Sequence, residues 1–178
     1  SQAFRPDTPV SPLVWVSHDG GATWSDEGQR HGGAPHAQFA TAVSMIGNQA
    51  LIGLTGSTIQ GDKFFIGFNS TTDGPSWGGF GTQAPWDGGA DPVSIDAIES
   101  LGDGLVALVK SHGGDGSRYY ALIHHLATGT QELIDLTATT GLRNAFDLAV
   151  VGGVTYAVGM ADLDGVVVPA MLAFRPLD

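Results

Sequence analysis

The sequence predicts an all-β fold: a small or partial β-propeller of four-stranded antiparallel blades, with about three and a half to four blades in the chain. Three observations predict it. Hairpin turns recur at near-constant spacing, a second set of strands keeps phase with them, and the composition opposes helices.

The first hairpin runs from Phe39 to Leu54 and turns at Gly47-Asn48. The second runs from Val93 to Val109 through Gly102-Asp103-Gly104, and the third from Phe146 to Val158 through Gly152-Gly153. The turns recur after 55 and then 50 residues. Gly-Asn, Asp-Gly and Gly-Gly tolerate the positive φ angles of tight hairpins. Between the hairpins lie Leu13-Val14-Trp15-Val16, Phe64 to Phe68, Tyr120 to Ile123 and Ala170 to Phe174. Three of these lead into turns centred on Asp19-Gly20, Asp73-Gly74 and Thr128-Gly129, and short strands such as Gln131 to Leu136 follow. The chain thus reads as one domain, 1–178, of repeat units near 1–35, 36–90, 91–141 and 142–178. Leu105-Val106-Ala107-Leu108-Val109 has no polar alternation, the pattern of a strand buried on both faces.

Glycine occurs 27 times and weakens a helix interior by about 1 kcal/mol each time. The acid is 15 Asp against three Glu (Glu27, Glu99, Glu132), which is turn acid rather than helix acid. Seven Lys plus Arg against a net charge of −11 exclude a phosphate-tracking groove, so no nucleic acid is expected as a partner. No apolar run is long enough to span a membrane, and insertion is not expected. The absence of cysteine removes disulfides, thiol nucleophiles and thiolate metal sites.

Ser17-His18-Asp19-Gly20-Gly21-Ala22-Thr23-Trp24 matches Ser-x-Asp-x-Gly-x-Thr-Trp at each defined position. This stretch resembles the BNR/Asp-box repeat of sialidases and of many non-catalytic propellers. Thr72-Asp73-Gly74-Pro75-Ser76-Trp77 looks like a shortened copy. The resemblance implies that Ser17, Asp19, Gly21, Thr23 and Trp24 are structural. Asp19 is expected to accept backbone N–H groups across the turn, Gly21 to relieve a conformation that opposes a Cβ, and Trp24 to bury its rings between sheets.

A sialidase-like glycoside hydrolase is the alternative reading. The resemblance would require an arginine cluster and a Tyr–Glu pair. Five arginines (Arg5, Arg30, Arg118, Arg143, Arg175) are scattered, and Glu132 is the only glutamate suited to chemistry by its place beside a strand. The expectation therefore leans away from an enzyme and assigns no catalytic residue. His124 and His125 are adjacent on a strand and point to opposite faces, so they do not chelate one metal. His31 and His36 flank a glycine-rich loop; Asp87 to Asp91 and His112 to Gly116 lack calcium-loop spacing and read as turns. No metal and no cofactor are expected.

Trp77, Phe80 and Trp86 lie in a Gly- and Pro-rich stretch and are the candidate binding residues, placed to stack on a sugar or a partner side chain. The leading expectation is an exported, secreted or cell-surface, non-catalytic module that binds a protein or glycan through loops on one face. A structural module of a larger surface protein is a further alternative. High Gly, Ala and Asp with two lysines fits a GC-rich bacterial source. The chain starts in mid-unit and ends where another turn is due. Unpaired edges then predict a homodimer in preference to a strained intramolecular ring.

Overall fold

The computed structural model describes residues 13–29, 36–58, 64–71, 78–79, 84–85, 93–102, 104–113, 116–125 and 128–175. These residues form four antiparallel sheets in chain order. The first pairs β1 (Leu13–Val16) with β2 (Ser25–Gln29). The second joins β3 (His36–Ile46), β4 (Gln49–Thr58) and β5 (Phe64–Thr71), with the two-residue β6 (Gly78–Gly79) and β7 (Ala84–Pro85) both on β5. In the third, β8 (Val93–Leu101), β9 (Gly104–Gly113), β10 (Gly116–His125) and β11 (Gln131–Asp135) follow one another. The fourth holds β12 (Leu142–Val151), β13 (Val154–Leu163) and β14 (Val166–Phe174). A single short helix, α1 (Leu136–Thr140), links the last two sheets among the described residues. Asp135 caps it by accepting from the Ala138 amide at 2.8 Å.

Local chemistry explains the hairpins. The β12–β13 turn places Gly152 at φ 59° and Gly153 at φ 75°, the doubly positive pair that matches the twist of the flanking strands. The third sheet is the centre of the molecule. One of its faces packs on the second sheet through Ile95, Ala107, Val109, Tyr120 and Leu122 against Leu51, Ile66 and Phe68. Its other face packs on the fourth sheet through Val106, Leu108, Tyr119, Ala121 and Ile123 against Leu142, Ala145, Leu148 and Ala157. Leu105 through Val109 are fully buried as a result.

The propeller expectation is corrected here. The chain is all-β, but its sheets are separate and open, with two, five, four and three strands, and none curls into a blade of a closed ring. The reason is physical. Turn residues and strand alternation specify hairpins, whereas closure needs contacts between sheets that the repeat does not encode. The outer face of the fourth sheet stays open: Phe146, Val158 and Met171 are exposed on it.

His124 of β10 lies on the face turned to the second sheet and is 2% exposed. Its ring stacks on Phe68 with centroids 6.5 Å apart. Burial pushes its imidazole below the usual histidine range, and the neighbouring His125 charge adds to this. The unfolded chain takes up this proton near the ordinary histidine value of 6.5, while the folded chain resists it. His124 therefore costs no stability above that pH and destabilises the fold progressively as pH falls below it. Urea midpoints should drop between pH 7.5 and 5.5, and His124→Leu should flatten that dependence. An unchanged slope in the variant would assign the effect to other groups.

Candidate functional site

The first strands of the three larger sheets, β3, β8 and β12, lie side by side along the chain of sheets. Each carries a bulge. The pairing slips between Ala40 and Ala42, between Ile95 and Ala97, and between Ala145 and Asp147, leaving Thr41, Asp96 and Phe146 as the extra residues. These positions are 55 and 50 residues apart, the spacing of the hairpin turns. A bulge bends its strand and re-aims the extra side chain, and bulges gather beside active sites. Thr41 uses its hydroxyl to join two of these strands: its Oγ1 accepts from the Ile95 amide at 3.3 Å.

Asp96 is the carboxylate that this device presents. It is exposed. Ser94, two residues earlier, donates its hydroxyl to Asp96 Oδ1 at 2.7 Å. His112 Nε2 of β9 stands 3.4 Å from the same Ser94 oxygen, so with its proton on Nε2 the imidazole donates to Ser94 while Ser94 donates to Asp96. Directly across from Ser94 is Lys110, half-buried, with its ammonium 5.7 Å from the centre of the Tyr119 ring. Tyr119 is buried, and its hydroxyl donates to Asn144 Oδ1 of β12 at 3.2 Å, bridging the third and fourth sheets. Its amide donates to Thr137 Oγ1 of α1 at 2.8 Å. On β12, Asp147 follows the bulged Phe146, is exposed, and accepts from the Leu148 amide at 2.9 Å.

The seam between the third and fourth sheets thus gathers an exposed carboxylate, a hydroxyl, an imidazole, an ammonium over an aromatic ring and an amide. A neighbouring first strand supplies a second exposed carboxylate. Among the described residues no group of three or more histidines and acids is arranged to hold a metal ion.

Of the residues singled out by sequence, His112 alone is in this seam among the described ones. Trp77 and Trp86 fall outside the described residues, as do Phe80, His31, the Asp87 to Asp91 cluster and the shortened copy of the box. Glu132 sits on β11, the outer edge of the third sheet, with the whole width of that sheet between it and β8. Arg118 pairs with Asp135 at 2.7 Å, and Arg143 pairs with Asp162. Neither arginine joins a cluster. Asp96 and Lys110 were not singled out by composition or motif. The signal that finds Asp96 is the bulge, which recurs with the repeat but shows only in the strand register.

The box itself is a self-contained turn between β1 and β2. Asp19 Oδ2 accepts from Thr23 Oγ1 at 2.6 Å, Asp19 Oδ1 accepts from the Thr23 amide at 2.8 Å and from Ser17 Oγ at 2.9 Å, and the Gly21 amide donates to Ser17 Oγ at 2.7 Å. Led by the Thr23 hydroxyl, then the Thr23 amide and Ser17, these bonds hold the Asp19 carboxyl down at about 2. Its contribution to holding the turn is present above the ordinary carboxylate value of 3.8 and is lost as pH falls through about 2. The expected burial of Trp24 is corrected: its side chain is 60% exposed, because both hydrogen-bonding ends of the turn face solvent rather than a neighbouring sheet. Trp24→Ala should therefore change stability by about 0.5 kcal/mol or less. Asp19→Ala should speed amide exchange at Gly21 and Thr23 without moving the main melting transition. A lower melting temperature in either variant would show that the turn supports the core.

No family model and no curated protein matches the chain. Solved structures do. A GH32 β-fructofuranosidase of the silkworm Bombyx mori superposes with a TM-score of 0.51 at 14% identity, over 86% of this chain and 37% of that one. A substituted form of the same enzyme in complex with sucrose gives 0.44 at 14% identity, over 70% and 29%. A GH43 endo-arabinanase from Bacillus licheniformis gives 0.34 at 13% identity, over 94% and 86%. The chain spans little more than a third of the silkworm enzyme, and at this identity the likeness is one of fold. Two expectations are corrected by it. The Asp-box, sialidase-type resemblance rests on eight residues of one turn and is not matched by these structures. The non-catalytic propeller-binding module is corrected with it, since the sheets are open and the fold likeness is to a structure named a β-fructofuranosidase.

Proposed function

We propose that this chain is a glycoside-hydrolase-type module, or the part of one that carries the strand scaffold, and that it acts on a glycan at the seam between its third and fourth sheets. The fold likeness to a β-fructofuranosidase over 86% of the chain carries the reading. Asp96 is the lead catalytic carboxylate and Asp147 the second. Ser94 orients the Asp96 carboxyl, and His112 orients Ser94. Asn144 faces the sugar hydroxyls, and the buried Tyr119 holds Asn144 in place.

Release of reducing sugar from a panel of fructosides and other oligosaccharides is the measurement. Hydrolysis of at least one is expected, and Asp96→Asn should lower kcat about a hundredfold or more, as loss of a positioned acid–base group does. Far-UV circular dichroism of the variant should be unchanged, since Asp96 is exposed and has no cross-strand partner. Absence of both hydrolysis and glycan binding would reject the reading.

A further inference from the structure

Lys110 is the one lysine among the described residues, and its position is unusual for this chain. Arg118 and Arg143 each have an acid, Asp135 and Asp162, although both side chains are more than half exposed. Lys110 is less exposed than either, yet among the described residues no carboxylate lies within ion-pair reach of it. In a chain of net charge −11 with 18 acids, a half-buried lysine without an acid in ion-pair reach is not a shortage of partners. What it has is the Tyr119 ring at 5.7 Å, which attracts a cation through its face and holds the stem in place.

The side chains around it are polar. Ser94 lies across the strand from Lys110, with Asp96 bonded to it, and Tyr119 reaches Asn144 on the next sheet. An ammonium with no acid in reach has its charge-assisted hydrogen bonds still to make, and an anion that arrives with the ligand accepts them.

We infer that the seam takes an acidic saccharide, a glycan bearing a uronic-acid carboxylate, and that Lys110 binds that carboxylate beside Asp96. The inference rests on the proposed glycan-processing function and names the substrate class of the same site. Lys110 is a specificity residue in it: the ammonium pairs with the sugar carboxylate, Asn144 and Ser94 meet hydroxyls, and the glycosidic bond next to the acidic unit is left facing Asp96.

The test uses a glycan array of neutral and uronate-bearing oligosaccharides, each acidic glycan also present in carboxyl-reduced form, with affinities then measured by calorimetry. Binding confined to uronate-bearing glycans is expected, with a loss of about tenfold or more on carboxyl reduction, the worth of one charge-assisted hydrogen bond. Lys110→Met should remove that difference and Lys110→Arg should keep most of it, with melting curves confirming that both variants fold. Equal binding of acidic and reduced glycans, or an undiminished preference in Lys110→Met, overturns the inference and leaves the glycan-processing reading standing. Failure to bind any glycan removes that reading and the inference together.

Discussion

Gly159→Ala is expected to destabilise the protein by about 3 kcal/mol, the upper end of what overpacking costs. Gly159 of β13 lies opposite Ala145, where the β12 backbone is bent by the Phe146 bulge. A Cβ there would sit 1.9 Å from the Asn144 carbonyl oxygen and 2.9 Å from its carbon. Both atoms are backbone, so β12 has to move. The displaced strand takes Asn144 away from the Tyr119 hydroxyl, which now bonds it at 3.2 Å. Stability and glycan binding should therefore fall together. Urea denaturation gives the first and calorimetry the second. A midpoint within about 0.5 kcal/mol of the parent would mean that the strand relaxes easily and that the bulge is not held by this contact.

Leu108→Ala is expected to cost about 2–5 kcal/mol, and Val43→Ala almost nothing. Leu108 is 0% exposed at the centre of the third sheet and faces the cluster shared with the fourth. It is also the residue opposite Ala97 at the Asp96 bulge, so a cavity there loosens the strand that presents the candidate carboxylate. Val43 is as apolar but 73% exposed on β3. The contrast tests the arrangement of sheets rather than hydrophobicity, because it requires the third sheet to be covered on both faces. Equal effects at the two positions would contradict the layering.

The legible parts of the sequence were local. Gly47-Asn48 and Gly152-Gly153 stand at hairpin turns, and Gly102 stands at the third. Leu105 to Val109 advertised burial on both faces by lacking polar alternation. The bonds of Ser17, Asp19 and Thr23 are likewise contained within seven residues. The candidate site was not legible in that way. Asp96 is one of 15 aspartates and reads as turn acid. It stands out only when Ile95 and Ala97 are seen to pair with the consecutive residues Val109 and Leu108. Lys110 reads as a solvated lysine until the Tyr119 ring is found beneath its ammonium.

By itself the sequence determined the hairpins, their period and the all-β class, because glycine at positive φ and side-chain alternation act over a few residues and need no partner from afar. Tertiary structure alone decided that the sheets are open and separate rather than closed in a ring. It also decided that Trp24 faces solvent and that Asp96, Lys110 and Asn144 meet at one seam. Those outcomes depend on strand register and on which sheet faces cover each other. Such contacts join residues tens of positions apart, and a repeat of turns leaves them unspecified.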